Sequence, residues 1–157
     1  MKKRVSNLRS LLLLLPITIV SFSLSAQDAV KEFSESFDVS EGVTLSADIK
    51  YSDVEMRTWD KNTVDILVNI EVDASSKSKA EEKLSKVDVR ISKSGKVISM
   101  TTDLDEGWSR NSKVSINIIV NAPAYLNMDM ASSYGDLYIQ ELNGLLDLNL
   151  KYGNLQA

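Results

Sequence analysis

A strand phrase built around a tyrosine recurs along this chain and constrains its fold more than any other feature. Residues 45–56 read Leu-Ser-Ala-Asp-Ile-Lys-Tyr-Ser-Asp-Val-Glu-Met, and residues 146–157 read Leu-Asp-Leu-Asn-Leu-Lys-Tyr-Gly-Asn-Leu-Gln-Ala. In each, apolar residues alternate up to the tyrosine (Leu45, Ala47, Ile49; Leu146, Leu148, Leu150). A small residue and an Asp or Asn follow, and alternation resumes at Val54 and Met56 or at Leu155 and Ala157. Period-two alternation is the mark of a half-buried strand. A looser copy runs from Leu126 to Ile139, with Tyr134-Gly135-Asp136 at its corner and two extra residues before the tyrosine. Tyr134 and Tyr152 are 18 residues apart and Leu126 and Leu146 are 20 apart, the length of one β-solenoid turn of two short strands with corners. Stacked turns would bury the apolar columns and pile Tyr51, Tyr134 and Tyr152 into a ladder. Gly135 and Gly153 offer positive φ at the corners, and Asp53, Asp136 and Asn154 can hydrogen-bond the corner backbone.

The rest of the chain reads as strands with one helix. Val30–Val39 alternates imperfectly around Phe33, Phe37 and Val39, and Glu41-Gly42 makes a turn. Residues 43–50 and 53–58 are strands bent at Tyr51-Ser52, ending at a turn over residues 59–62. In Thr63–Val72 the residues Val64, Ile66, Val68, Ile70 and Val72 share a face. Residues 75–86 predict the helix, with Ser78 as its cap, Glu81 and Glu82 in its first turn, and Ala80, Leu84 and Val87 at helical spacing. Strands at 87–92 and 96–102 flank a hairpin turn at Ser94-Gly95. A polar loop from Asp103 to Ser112 precedes the strand Val114–Val120, which Asn121-Ala-Pro-Ala124 breaks. The expected class is all-β with one short helix, with parallel β-solenoid, or β-helix-like, repeats following a strand-rich N-terminal part.

The N-terminus has the order of a secretory signal: basic Met1-Lys-Lys-Arg4, an apolar run over Leu11–Phe22, and small residues in Ser23-Leu-Ser-Ala26. The run is short for a membrane span, which takes roughly 20 residues. Residues 1–26 are therefore read as a signal peptide, with an uncleaved anchor as the alternative, and residues 27–157 as one domain without a membrane span. Residues 1–26 hold Lys2, Lys3, Arg4, Arg9 and no acid, so 14 of the 18 basic residues remain to face 22 acidic ones, a net of −8. Such a surface repels nucleic acid and anionic lipid. The expected location is the periplasm, the outer-membrane surface or the exterior. Ala157 falls within the second strand of the last copy, so the domain is expected to be incomplete there. Its open strand edge invites end-to-end association.

In their order along the chain, Lys50-Tyr-Ser-Asp-Val54, Trp59-Asp-Lys61, Val120-Asn-Ala-Pro123, Tyr134-Gly-Asp-Leu137 and Tyr152-Gly-Asn-Leu155 carry a resemblance. The chain resembles a bacterial envelope family of β-strand-repeat proteins called putative adhesins, across most of residues 27–157. The resemblance implies a right-handed parallel β-helix in an exported protein of undefined function, with further repeats. It carries no catalytic residues.

The chain has no histidine and no cysteine, which removes Ser-His-Asp and Cys-His catalysis and ordinary zinc sites. The remaining carboxylate or Ser-Lys chemistry has no spacing signature, so no enzyme and no cofactor is expected. Asp103, Asp105 and Glu106 form the densest acid cluster. It lacks the later bidentate acid of a calcium loop, so it reads first as a solvated loop and only weakly as a metal site. Trp108 in the same loop could stack on a sugar with Arg110 and Asn111 hydrogen-bonding it, or fold back as a lid on the core. The function expected is a non-enzymatic envelope or surface binding module of adhesin type; its partner is left open between a glycan and an envelope protein. The alternative is a periplasmic scaffold that pairs with another envelope protein by its edge.

Overall fold

The computed structural model describes residues 28–105, 108 and 113–157. The signal-like segment lies outside the described residues. The elements are β1 (Asp28–Asp38), β2 (Thr44–Lys50), β3 (Ser52–Trp59), β4 (Thr63–Asp73), α1 (Lys77–Leu84), β5 (Val87–Ser94), β6 (Val97–Leu104), β7 (Lys113–Pro123), β8 (Asn127–Ser133), β9 (Leu137–Ile139), β10 (Leu146–Lys151) and β11 (Leu155–Gln156). They form a six-stranded sheet in the order β1-β4-β7-β3-β9-β11 and a five-stranded sheet in the order β10-β8-β2-β6-β5. No helix among the described residues is long and apolar enough to cross a membrane.

The tyrosine phrase is the seam between the sheets. Each copy runs one strand in the five-stranded sheet, turns at its tyrosine, and runs a second strand in the six-stranded sheet. The copies pair parallel and in register: Leu45 faces Met128, which faces Leu146, and Val54 faces Leu137, which faces Leu155. This register removes the two extra residues expected in the middle copy. Met128, Met130 and Ser132 stand opposite Leu45, Ala47 and Ile49, and Ser132 sits buried at the third apolar position.

All-β with one helix therefore holds. The two sheets are mixed, with parallel pairing among the tyrosine copies and antiparallel pairing elsewhere. β4 pairs antiparallel with β1 and β7, and β5 pairs antiparallel with β6. The first copy is also separated from the second in sequence by β4, α1, β5, β6 and β7. β7 joins the parts, because it lies parallel to β3 on one side and antiparallel to β4 on the other. The core lies between the sheets. Val64, Ile66, Val68, Ile70 and Val72 of β4 face Ile116, Ile118 and Val120 of β7 on its floor, and Leu45, Ile98, Met100, Met128 and Met130 come down from the other sheet. Such burial is the main favourable term of folding.

The cap of α1 lies two residues earlier than expected. Ser76, in extended backbone, accepts from the Lys79 N–H at 3.4 Å, and the first turn carries no acid. Lys77 and Lys79 are thus helical, and only Ala80 of the helix is fully buried.

Candidate functional site

The corner geometry follows from three residues per copy. Tyr51, Tyr134 and Tyr152 have φ of 56°, 63° and 57°. The positive φ expected at the glycines thus belongs to the tyrosines, a position that costs a side-chain-bearing residue of order 1–3 kcal/mol. The rings offset part of that cost by stacking. Tyr51 and Tyr134 lie 5.2 Å apart and 7° from parallel, Tyr134 and Tyr152 5.0 Å and 8°. The glycines serve a different need. A Cβ on Gly135 would stand 2.0 Å from the Ser52 carbonyl oxygen, and one on Gly153 would stand 1.9 Å from that of Gly135. Each corner backbone presses into the space the next copy's glycine leaves.

The acids and amide lock the stack. Asp53 Oδ1 accepts the Asp136 N–H at 2.8 Å, and Asp136 Oδ1 accepts the Asn154 N–H at 2.8 Å. The Asn154 side-chain amide donates to the same Asp136 oxygen at 3.0 Å. These contacts join the corner of each copy to the corner of the next.

A trough of about 460 Å³ opens at the base of the ladder. Tyr51 and Trp108 both line it, with Lys50, Asp103 and Asp105 as its polar groups. Trp108 is half-buried and packs against the core, while its indole carries the Lys83 ammonium 5.1 Å from the ring centroid. The Trp108 backbone N–H donates to the Asp105 carbonyl at 3.3 Å. Asp103 Oδ1 accepts the Leu104 N–H at 2.9 Å and meets Lys50 Nζ at 3.3 Å. That backbone donor first, and the ammonium second, hold its carboxyl below the usual Asp range. The structure thus brings the expected Trp108, Tyr51, Asp103 and Asp105 to one place. Arg110, Asn111 and Glu106 lie outside the described residues. Among the described residues, no three acids converge as a metal site would require.

A second trough, of about 470 Å³, runs along the outer face of the six-stranded sheet. Asp53, Asp136, Asn154 and Asn117 form its polar row, and Ile119 and Tyr138 its apolar one. Glu55 stands between them, with its carboxyl held below the ordinary Glu range by two hydrogen bonds from Arg57 at 2.8 and 2.9 Å. Asn117, Ile119 and Tyr138 were not singled out by sequence. Each is an outward alternate of a strand, and only the β7-β3-β9 pairing sets Asn117 beside Asp53 and brings Ile119 and Tyr138 to either side of Glu55.

No family model matches the chain, and no curated protein matches it. Among solved structures it is similar to a protein from Bacteroides fragilis described as a putative adhesin. The identity is 17% and the TM-score 0.41, over 80% of this chain and 52% of that one. It is also similar to a protein from Parabacteroides distasonis described as a putative lipid binding protein, at 13% identity and a TM-score of 0.33, over 79% of this chain and 50% of that one. The chain spans about half the length of each.

Proposed function

We propose that the chain is an exported, non-catalytic binding module of adhesin type, that its three stacked copies are the coils of a short solenoid, and that it holds a hydroxyl-rich glycan between Tyr51 and Trp108. One observation carries the ligand reading. Two aromatic side chains border one trough whose rim bears an ammonium and two carboxylates. Sugar rings present apolar faces to aromatic rings and hydroxyls to such groups, and the trough lies within the roughly 300–1,000 Å³ range of small-ligand sites. The basic, then apolar, then small-residue order of residues 1–26 supports export.

A glycan array with the purified chain, followed by titration of Trp108→Ala and Tyr51→Ala, tests the reading. Each variant is expected to keep its fold and bind at least tenfold more weakly. An array with no hit, or a Trp108→Ala variant that only melts early, would make Trp108 a lid and overturn the glycan site. Location is tested separately by protease treatment of intact and permeabilised cells. Cleavage in intact cells is expected of an adhesin, and protection until permeabilisation would remove the adhesin part of the proposal.

A further inference from the structure

We propose that the trough on the outer face of the six-stranded sheet docks a basic polypeptide segment, laid across β7, β3 and β9. The proposal stands apart from the glycan reading, because this trough shares no lining residue with the one at Trp108.

Alternation decides what this face shows to solvent. Where one set of strand residues is buried, the other set points out. β1 turns Asp28, Glu32 and Asp38 outward, β4 turns Asp65, Glu71 and Asp73, and β3 turns Asp53 and Glu55. The bases among the outward residues are Arg57 of β3 and Lys113 of β7. Eight acids against two bases leave a net of −6 on this one face, out of −8 for residues 27–157. Both bases are already engaged: Arg57 pairs with Glu55, and Lys113 stands opposite Asp73. A partner that complements this face is cationic.

The trough adds shape to that charge. It crosses the strands between a wall of Asn117, Asp53, Asp136 and Asn154 and a wall of Ile119 and Tyr138. From β7 to β11 it spans about 14 Å of strand spacings, the reach of about four extended residues. Asp53 and Asp136 each commit Oδ1 to the next corner's N–H, and neither has a charged partner among the described residues. Two such carboxylates on adjacent copies repel each other until a cation lies between them. Ile119 and Tyr138 suit the alkyl stem of that cation, and the tyrosine ring its charged head. A lysine or arginine side chain has both parts. A bare metal ion does not fit, since no three acids converge among the described residues. Charge sets the other occupants aside as well. Nucleic acid and anionic lipid are repelled, and a second copy laid face to face brings the same negative surface.

Fluorescence anisotropy of labelled pentalysine tests the site, on the chain from Gln27 onward, whose core residues all lie downstream of that point. Binding is expected, and it is expected to weaken as salt rises. Asp53→Asn with Asp136→Asn leaves an amide oxygen for each corner N–H and is expected to weaken binding about tenfold or more. Asp48→Asn with Asp129→Asn removes the same charge from the outer face of the other sheet and is expected to change binding less than about twofold. Tyr138→Ser changes no charge and is expected to weaken binding about threefold or more. Thermal unfolding checks that each variant keeps its fold. No binding of pentalysine at low salt overturns the proposal. So does equal weakening by the two double variants, which makes the effect one of overall charge. A Tyr138→Ser protein that binds like the parent overturns it too, because the apolar wall then plays no part. Pentaglutamine bound as tightly as pentalysine makes the occupant a neutral chain and overturns the basic one.

Discussion

At the scale of the residue, the corners divide strain and stacking between neighbours. A left-handed tyrosine is costly alone, and Tyr134 is held by a ring on each side. Tyr134→Asn relieves the backbone but removes two stacked pairs, so a net loss of about 1–2 kcal/mol is expected in urea unfolding. Tyr152→Asn, at the exposed end with one stacked neighbour, is expected to change stability by less than about 0.5 kcal/mol. The larger effect should come from Gly135. Gly135→Ala drives a methyl against the Ser52 carbonyl of a central strand and is expected to cost about 2–4 kcal/mol. Asp103 carries a pH signature. Its folded pKa is depressed, so its contribution is present above the unfolded value near 3.8 and lost as pH falls through the folded one. Asp103→Asn should therefore flatten the melting-temperature profile below about pH 4 and leave its shape unchanged above about pH 5. A profile that still falls as steeply as the parent's would remove Asp103 from the acid response.

At the scale of the element, the informative place is where a strand runs out of partner. β6 pairs with β2 only as far as Asp48, so Lys50 has no strand neighbour on that side. The Thr102 hydroxyl takes the missing rung: it accepts the Lys50 N–H at 2.7 Å, donates to the Lys50 carbonyl at 2.9 Å, and meets buried Ser52 Oγ at 3.1 Å. Thr102→Val keeps the shape and strands these groups, so a loss of about 1–3 kcal/mol is expected, with Thr102→Ser retaining most of the stability. Differential calorimetry of the pair separates the hydroxyl from the methyl. This substitution of a side chain for a strand could not be read from the sequence, where Thr102 is one more polar alternate near a strand end. The strands themselves were legible, because β4, β7 and the tyrosine copies alternate cleanly. The middle copy looked irregular only because Ser132 stands at an apolar position. The helix start was misplaced for a related reason. Ser76 and Ser78 are the same residue type two positions apart, and only the backbone shows that Ser76 is the extended one that accepts the Lys79 N–H.

At the scale of the whole molecule, local reading stops at pairing across distance. A short turn joins β3 to β4, and nothing in those residues says that β7 separates the two strands in the sheet. The outer trough was hidden with it, since its residues come from strands that meet only through β7 and the copies. The Trp108 trough was half legible: the aromatic in a polar loop stood out, but its nearness to Tyr51 depends on the fold. β7 therefore makes one cooperative unit of the sheet. Two tryptophans can test this, because Trp108 lines the trough near the corner that begins β3, and Trp59 ends that strand, its indole N–H bonded to the Thr63 carbonyl at 2.8 Å. Single-tryptophan variants, Trp59→Phe and Trp108→Phe, each leave one fluorescent reporter at one end. Ile118, fully buried on β7, pairs with Val54 of β3 on one side and Val68 of β4 on the other. Ile118→Ala is expected to cost about 2–5 kcal/mol and to lower the urea midpoint equally at both reporters. A shift at one reporter alone would mean that the two ends of β3 unfold as separate units, with Ile118 of β7 coupled to only one of them.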